Sequence, residues 1–346
     1  MSPDRSPGGA PALGSRRPLR TIGLAIAACL LVVLLGLSLV VGSAPIPLAE
    51  VIAALTEHDG SPTHITITEA RIPRTLLGLA VGVALGVSGA LMQALTRNPL
   101  ADPGILGVNA GAGFAVTLGV ALSGVTRIDQ YLPLALVGAV VATIAVFAMA
   151  GGSRGTASPV RLTLVGVALA AVLMGVSQTL ALIDPDTFDR MRFWGAGTIA
   201  DRPPGTLEAI ALPILAGLAI AALCARPLDA IALGDDAARA LGLRLGLVRS
   251  GVLVSVTLLA GAATAAAGPL VFVGLVVPHI VRGITGPRWT WIVAYSALLS
   301  PALLVGADVL GRVVVLPAEL QVGIVMPLVG APVLVALVRG RRARNL

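Results

Sequence analysis

The chain of 346 residues is 56% hydrophobic and only 12% charged, with mean hydropathy +0.95, which excludes a soluble globular domain and makes lipid its main solvent. Its net charge of +7 comes from arginines scattered at the ends of apolar runs rather than gathered on one face, so a nucleic-acid interface is excluded too. An aromatic share of 3% leaves no material for an aromatic ligand cage, and two separated cysteines, Cys29 and Cys224, support neither a disulfide framework nor a thiolate metal site.

Residues 1–19, rich in Pro, Gly and Arg, read as a disordered tail. The uncharged run 21–49 follows as the first candidate span. It ends in Gly42-Ser43-Ala44, as a secretory leader could, but it is longer than a leader's apolar core. The second run, 75–96, carries Gly78, Gly82 and Gly86 every four residues, then Ala90, a flat stripe against which another helix backbone can close.

TRNPLADPG, residues 96–104, separates this run from the next. Pro99 and Pro103 each remove a backbone donor, and Arg97, Asn98 and Asp102 cannot rest in hydrocarbon. The segment therefore reads as a polar elbow that sits at an aqueous face or against protein. Runs at 103–126, 130–153 and 162–183 come next, then a polar outer stretch, Ile183 to Pro204, expected as a short surface helix with Phe193-Trp194 as an interfacial anchor.

After the run 209–225, an inner loop of residues 226–249 contains LGDDAARALGLRLG. Asp235 and Asp236 suit a helix N-terminus, Gly242 suits a helix end, and Ala237, Leu241, Leu245 and Val248 recur at helical spacing. An amphipathic helix at the inner surface is expected there, either coating headgroups or docking a partner. The run 250–281 is too long for one crossing and breaks at Gly268-Pro269. Runs 289–307 and 320–338 complete ten expected spans, followed by a basic tail over 339–346. Asp308 and Arg312, four residues apart near the outer end of span nine, can pair.

An even number of spans places both termini on one side, and both tails are basic, so both are expected in the cytoplasm. In that orientation 17 of the 24 basic residues lie inside. Spans two and seven then run in opposite directions, each preceded by an arginine and followed by a proline-containing stretch, a pattern consistent with an inverted repeat of spans two to five and seven to ten. Residues 20–338 form a single all-helical membrane domain in this reading.

The chain contains no lysine, so it holds no phosphate-binding GxxxxGK[ST] loop, and HExxH is absent. His58, His64 and His279 are too dispersed to propose a metal centre. His279 is expected to be a structural hydrogen-bonder. Spans carry Gln93, Asn109, Ser177 and Gln178 but almost no carboxylates, which disfavours a proton- or sodium-coupled secondary carrier. Energy is then expected from another polypeptide, or the pore is a passive channel acting without an ATPase.

Taken with residues 71–113 (RIPRTLLGLAVGVALGVSGALMQALTRNPLADPGILGVNAGAG), LGDDAARALGL (233–243), GPLVFVGLVVPHIVRGITG (268–286), ADVLGR (307–312) and ELQVGIVMPLVGAP (319–332), the chain resembles the iron-siderophore and cobalamin permease family of ABC importers. The resemblance implies a ten-span permease that pairs with a second permease subunit, two cytoplasmic ATPases and an outer substrate-binding protein. It implies no bound cofactor here, ATP and magnesium residing on the partners. Iron(III)-siderophore is the implied cargo, with cobalamin or haem as alternatives.

By the same resemblance, Leu233, Gly234, Asp235, Asp236, Ala237, Ala240, Leu241 and Gly242 couple the permease to the ATPase. Arg71, Arg74 and Arg312 dock the binding protein, their forked guanidiniums being suited to carboxylates, unless Asp308 neutralises Arg312. Met174, Ser177 and Gln178 line the pathway. Gln321 departs from the proline that the family commonly has after Glu-Leu, which puts the bend before span ten in question.

Overall fold

The computed structural model describes residues 17–57, 59–125, 127–151 and 159–342, and among them the only regular secondary structure is helical. The rest of the two tails and His58 lie outside the described residues. In chain order the helices are α1 (Arg17–Val40), α2 (Leu48–Thr56), α3 (Pro62–Ile65), α4 (Ile72–Thr96), α5 (Val108–Ser123), α6 (Ile128–Met149), α7 (Pro159–Ile183), α8 (Pro185–Gly195), α9 (Thr206–Ile231), α10 (Asp235–Ala240), α11 (Leu245–Ala267), α12 (Val273–Thr285), α13 (Trp289–Val314) and α14 (Val322–Arg342).

Each of the ten expected spans is present as a helix. Seven are long and apolar enough to cross a bilayer; the shorter apolar segments are α5, α12 and the first part of α14. At about 1.5 Å per residue, α12 reaches only ~20 Å of a ~30 Å hydrocarbon core. Physically, α5 and α12 are short for one reason: each follows a stretch of non-helical backbone that is partly covered by protein, and a membrane tolerates such backbone only against protein or water.

Before α5 that stretch is the elbow. Arg97 ends α4 in the left-handed region, and a 3-10 turn spans Pro103–Leu106. Ala101, Pro103 and Leu106 are buried. The elbow satisfies its own backbone: Asp102 accepts from Gly104 N–H at 2.8 Å and Asn98 from Leu100 N–H at 3.0 Å. His279 reaches in from α12, its Nδ1 lying 3.3 Å from Pro99 O, the structural role expected of it. Before α12 the corresponding break is Gly268–Phe272, which opens with Gly268 at φ +76, as its Gly-Pro pair foretold. Thus α4 and α11 are each followed by an irregular joint and a short helix, as an inverted repeat requires.

The centre of the bundle is α4. Its glycine stripe lies along α13: a Cβ on Gly78 would press on Val305, one on Gly82 on the backbone of Pro301, and one on Gly86 on Ser300. Gly89 turns to α12, where a Cβ would overlap the Gly274 carbonyl. Backbones this close gain dispersion contacts that bulkier side chains would forbid.

Two outer regions depart from expectation. The uncharged run 21–49 is not one helix, because α1 stops at Val40 and α2 begins at Leu48. Between α2 and α4 the chain forms α3 and a π-helical turn, Thr66–Arg71. Ile46, Val51, Ala54 and Ile67 pack there as a small core against Leu39, Val40 and Ile72. The expected outer surface helix is α8, capped by Asp184, which accepts from Thr187 N–H at 3.1 Å. Trp194, however, is not an interfacial anchor: it turns inward, beside Gly113, and its Nε1 donates to Ala265 O at 3.4 Å. Burial of an indole is favourable once its N–H finds a carbonyl. The Phe193 side chain lies outside what is described.

Candidate functional site

Linking α9 to α11, α10 is a helix of six residues between Gly234 (φ +118) and Gly242 (φ +80). The helix start at Asp235 and the stop at Gly242 match the sequence reading. The longer apolar stripe does not survive. Gly242 ends the helix, so Leu245 falls into α11 and is buried, whereas Leu241 is 66% exposed and Leu233 is 75% exposed. Ala237, Ala240 and Asp236 are also exposed, and Ala238 alone in α10 is buried.

Asp235 fastens this helix to the bundle. One carboxylate oxygen accepts from Arg97 Nη2 at 2.5 Å and the other from Arg249 Nη2 at 2.7 Å. Desolvation would raise its pKa, but the two guanidiniums outweigh it and hold the carboxyl below its ordinary value. Asp236 pairs only with Arg239 on its own helix, at 2.8 Å.

Arg71, Arg74 and Arg312 gather at one cluster. Arg74 binds Asp308 through Nε and Nη2, at 3.0 and 2.8 Å to its nearer oxygens, and Glu319 through Nη1 at 2.7 Å. Arg312 donates to Asp308 at 2.5 Å, the pairing expected from their spacing. Its remaining donors reach Ser38 O at 2.7 Å, Val41 O at 3.2 Å and Ser38 Oγ at 3.0 Å. Arg71 donates to Leu39 O at 2.7 Å and Val40 O at 2.8 Å, and also to Ala44 O.

Arg71 and Arg312 thus take up the last carbonyls of α1 and of the turn beyond it, which a helix leaves without partners. Both are buried, with 8% and 2% exposure, rather than displayed on the outer surface. Arg74 stands between two cavities and lines both. One, of about 680 Å³, is walled by Tyr131, Trp194, Arg202, Glu319 and Gln321. The other, of about 1030 Å³, is walled by Glu69, Arg71, Arg202, Glu208 and Arg312.

Arg202 and Glu319 were not singled out by sequence. Arg202 donates to Thr198 O at 3.0 Å and Ala267 O at 3.1 Å, and burial pushes its guanidinium below the ordinary value. Its neighbours, Asp201 and Pro203, give no pattern that would mark it. Gln321 closes the turn that leads into α14: its carbonyl accepts from Ile324 N–H at 2.9 Å.

On α7, Met174 is 55% exposed, Gln178 is exposed, and half-buried Ser177 returns its hydroxyl to Leu173 O at 2.8 Å. Val167, Val172, Val176 and Leu182 are exposed too, so α7 presents more than one open side. The structure does not bring these residues near the arginine cluster or α10 by any hydrogen bond or ion pair.

Known proteins are similar to this chain in sequence and in fold. The ferric enterobactin transport system permease protein of Escherichia coli K12 is 45% identical over 332 residues, spanning 96% of this chain and 99% of that one. The Fe(3+)-citrate import system permease protein YfmD of Bacillus subtilis 168 is 37% identical, spanning 90% and 92%. The fold matches a solved metal-chelate type ABC transporter in an inward-facing conformation, with TM-score 0.79, 24% identity, and coverage of 93% of this chain and 99% of that one. The family description that matches residues 30–340 is the FecCD transport family, and the chain belongs to it.

Proposed function

We propose that the chain is the transmembrane permease subunit of an ABC importer that carries an iron(III)-siderophore across the cytoplasmic membrane. Separate ATPase subunits supply the energy, an extracytoplasmic binding protein delivers the cargo, and a second permease subunit completes the pathway. Both termini face the cytoplasm. The observation that carries this reading is α10, a short helix held by Asp235 that presents exposed Leu233 and Leu241 on the face opposite the arginine cluster's end of α4. An apolar knob on a charged cytoplasmic surface suits a groove on another protein.

The cargo assignment draws support from relatives named for ferric enterobactin, ferric citrate and ferric hydroxamate. The exposed sides of α7 support a paired subunit, with Met174, Ser177 and Gln178 facing the shared pathway. Arg74, which alone among the three outer arginines lines both cavities, is the residue best placed to meet a docking carboxylate, with Arg71 and Arg312 following only if their α1 contacts open.

The test is uptake of radiolabelled ferric enterobactin into vesicles. Accumulation is expected only when an ATPase and a binding protein are co-reconstituted. Accumulation that persists after the ATPase is inactivated overturns the assignment.

A further inference from the structure

Gly234 and Gly242 flank α10 with backbone angles that only glycine adopts readily, so the helix sits between two flexible joints. A helix mounted that way would pivot under load instead of moving its neighbours. Besides the packing of buried Ala238, what ties the helix to the spans is one carboxylate. Asp235 Oδ1 takes Arg97, the residue that ends α4, and Oδ2 takes Arg249 of α11. The same Arg97 nitrogen also donates to Ile231 O, the end of α9, at 3.1 Å.

Asp235 therefore ties the head of α10 to the end of α4 and to α11 directly, and to α9 through Arg97. No other coupling residue has such reach: Asp236 bonds within α10, and Ala237, Ala240 and Leu241 face outward. Asp235 and Arg97 are 30% and 53% exposed, so the pair adds little stability; its value is directional.

We infer that Asp235 is a positioning residue that converts displacement of α10 into displacement of the bundle, with Arg97 and Arg249 as its two arms. The inference rests on reading α10 as the surface gripped by the ATPase. Through Arg97 the movement enters α4, a helix of 25 residues, about 37 Å at ~1.5 Å per residue, whose first turn carries Arg74. The elbow acquires a purpose on this account: its left-handed residue is Arg97, which turns back toward α10.

The experiment uses the full permease–ATPase complex in nanodiscs, with Cys29 and Cys224 replaced and Ala200→Cys introduced in the wall of the outer cavity. Maleimide labelling of that cysteine is read with and without ATP and vanadate. In the parent, nucleotide is expected to change the labelling rate by roughly fivefold or more, the low end of typical coupling between sites. Asp235→Asn should abolish the nucleotide effect, Asp235→Glu should keep most of it, and Arg97→Gln combined with Asp235→Asn should be no worse than Asp235→Asn alone.

A full nucleotide effect in Asp235→Asn overturns the inference. So does loss of the ATPase from both the Asp235→Asn and Arg97→Gln complexes, since the residues would then serve assembly. Leu241→Asp separates the two readings: if it loses the effect while Asp235→Asn keeps it, the α10 assignment stands and the strut fails. If the parent itself shows no effect, the ATP-driven reading fails and takes the inference with it.

Discussion

Asp308 serves two guanidiniums, Arg74 and Arg312, and is 1% exposed. Removing one member of such a cluster leaves a buried charge without its counter-ion, a loss of roughly 3–5 kcal/mol. Asp308→Asn should therefore lower the thermal unfolding midpoint in detergent far more than Asp236→Asn, whose side chain is fully exposed. Arg71→Ala should be severe for a different reason, since it strips ligands from the end of α1. Arg74→Glu is expected to weaken association with the outer binding protein, with a loss that shrinks as salt rises, measured by titration at two ionic strengths. Much of this cluster was legible: the spacing of Asp308 and Arg312 announced their pair. Glu319 was not, because 245 residues separate it from Arg74 and no periodicity links distant charges.

Packing along α4 gives the sharpest predictions among the elements. Gly82→Leu would drive a side chain into the Pro301 backbone of α13, and a backbone cannot turn aside as a flexible side chain can. Overpacking of this kind costs about 1–3 kcal/mol or more. Gly82→Leu should therefore reduce the yield of monodisperse protein on size exclusion, while Gly36→Leu, with open space around it, should leave the yield intact. On α10, Leu241→Asp should lower ferric enterobactin uptake without preventing membrane insertion, measured in the same vesicles.

The spans themselves were easy to read, because charges mark their ends and Gly268-Pro269 marks the joint inside a long run. The helices α2 and α3 were not. Residues 41–49 contain no charge until Glu50, so they merged with α1, and the polar stretch from Glu57 to Arg71 gave no repeat that separates a π-helical turn from a loop. Trp194 was misread for a related reason: aromatic residues in an outer loop suggest the lipid interface, and only the tertiary fold reveals a carbonyl at Ala265 within its reach.

At the scale of the molecule, the two halves repeat a design in which a full-length buried helix is followed by an irregular joint and a short one. The proposed partners lie at the two ends of this plan: the ATPase at α10 and the binding protein near Arg74. The seal that Arg71 and Arg312 place over the end of α1 carries a practical lesson. The first crossing is moored to its neighbours at its outer tip by side chains borrowed from other helices, so the peptide from Val41 to Ala44 is a hinge pin rather than a spare connector. An epitope spliced into those residues would cast α1 adrift, whereas a fusion at the chain's start would leave the mooring untouched.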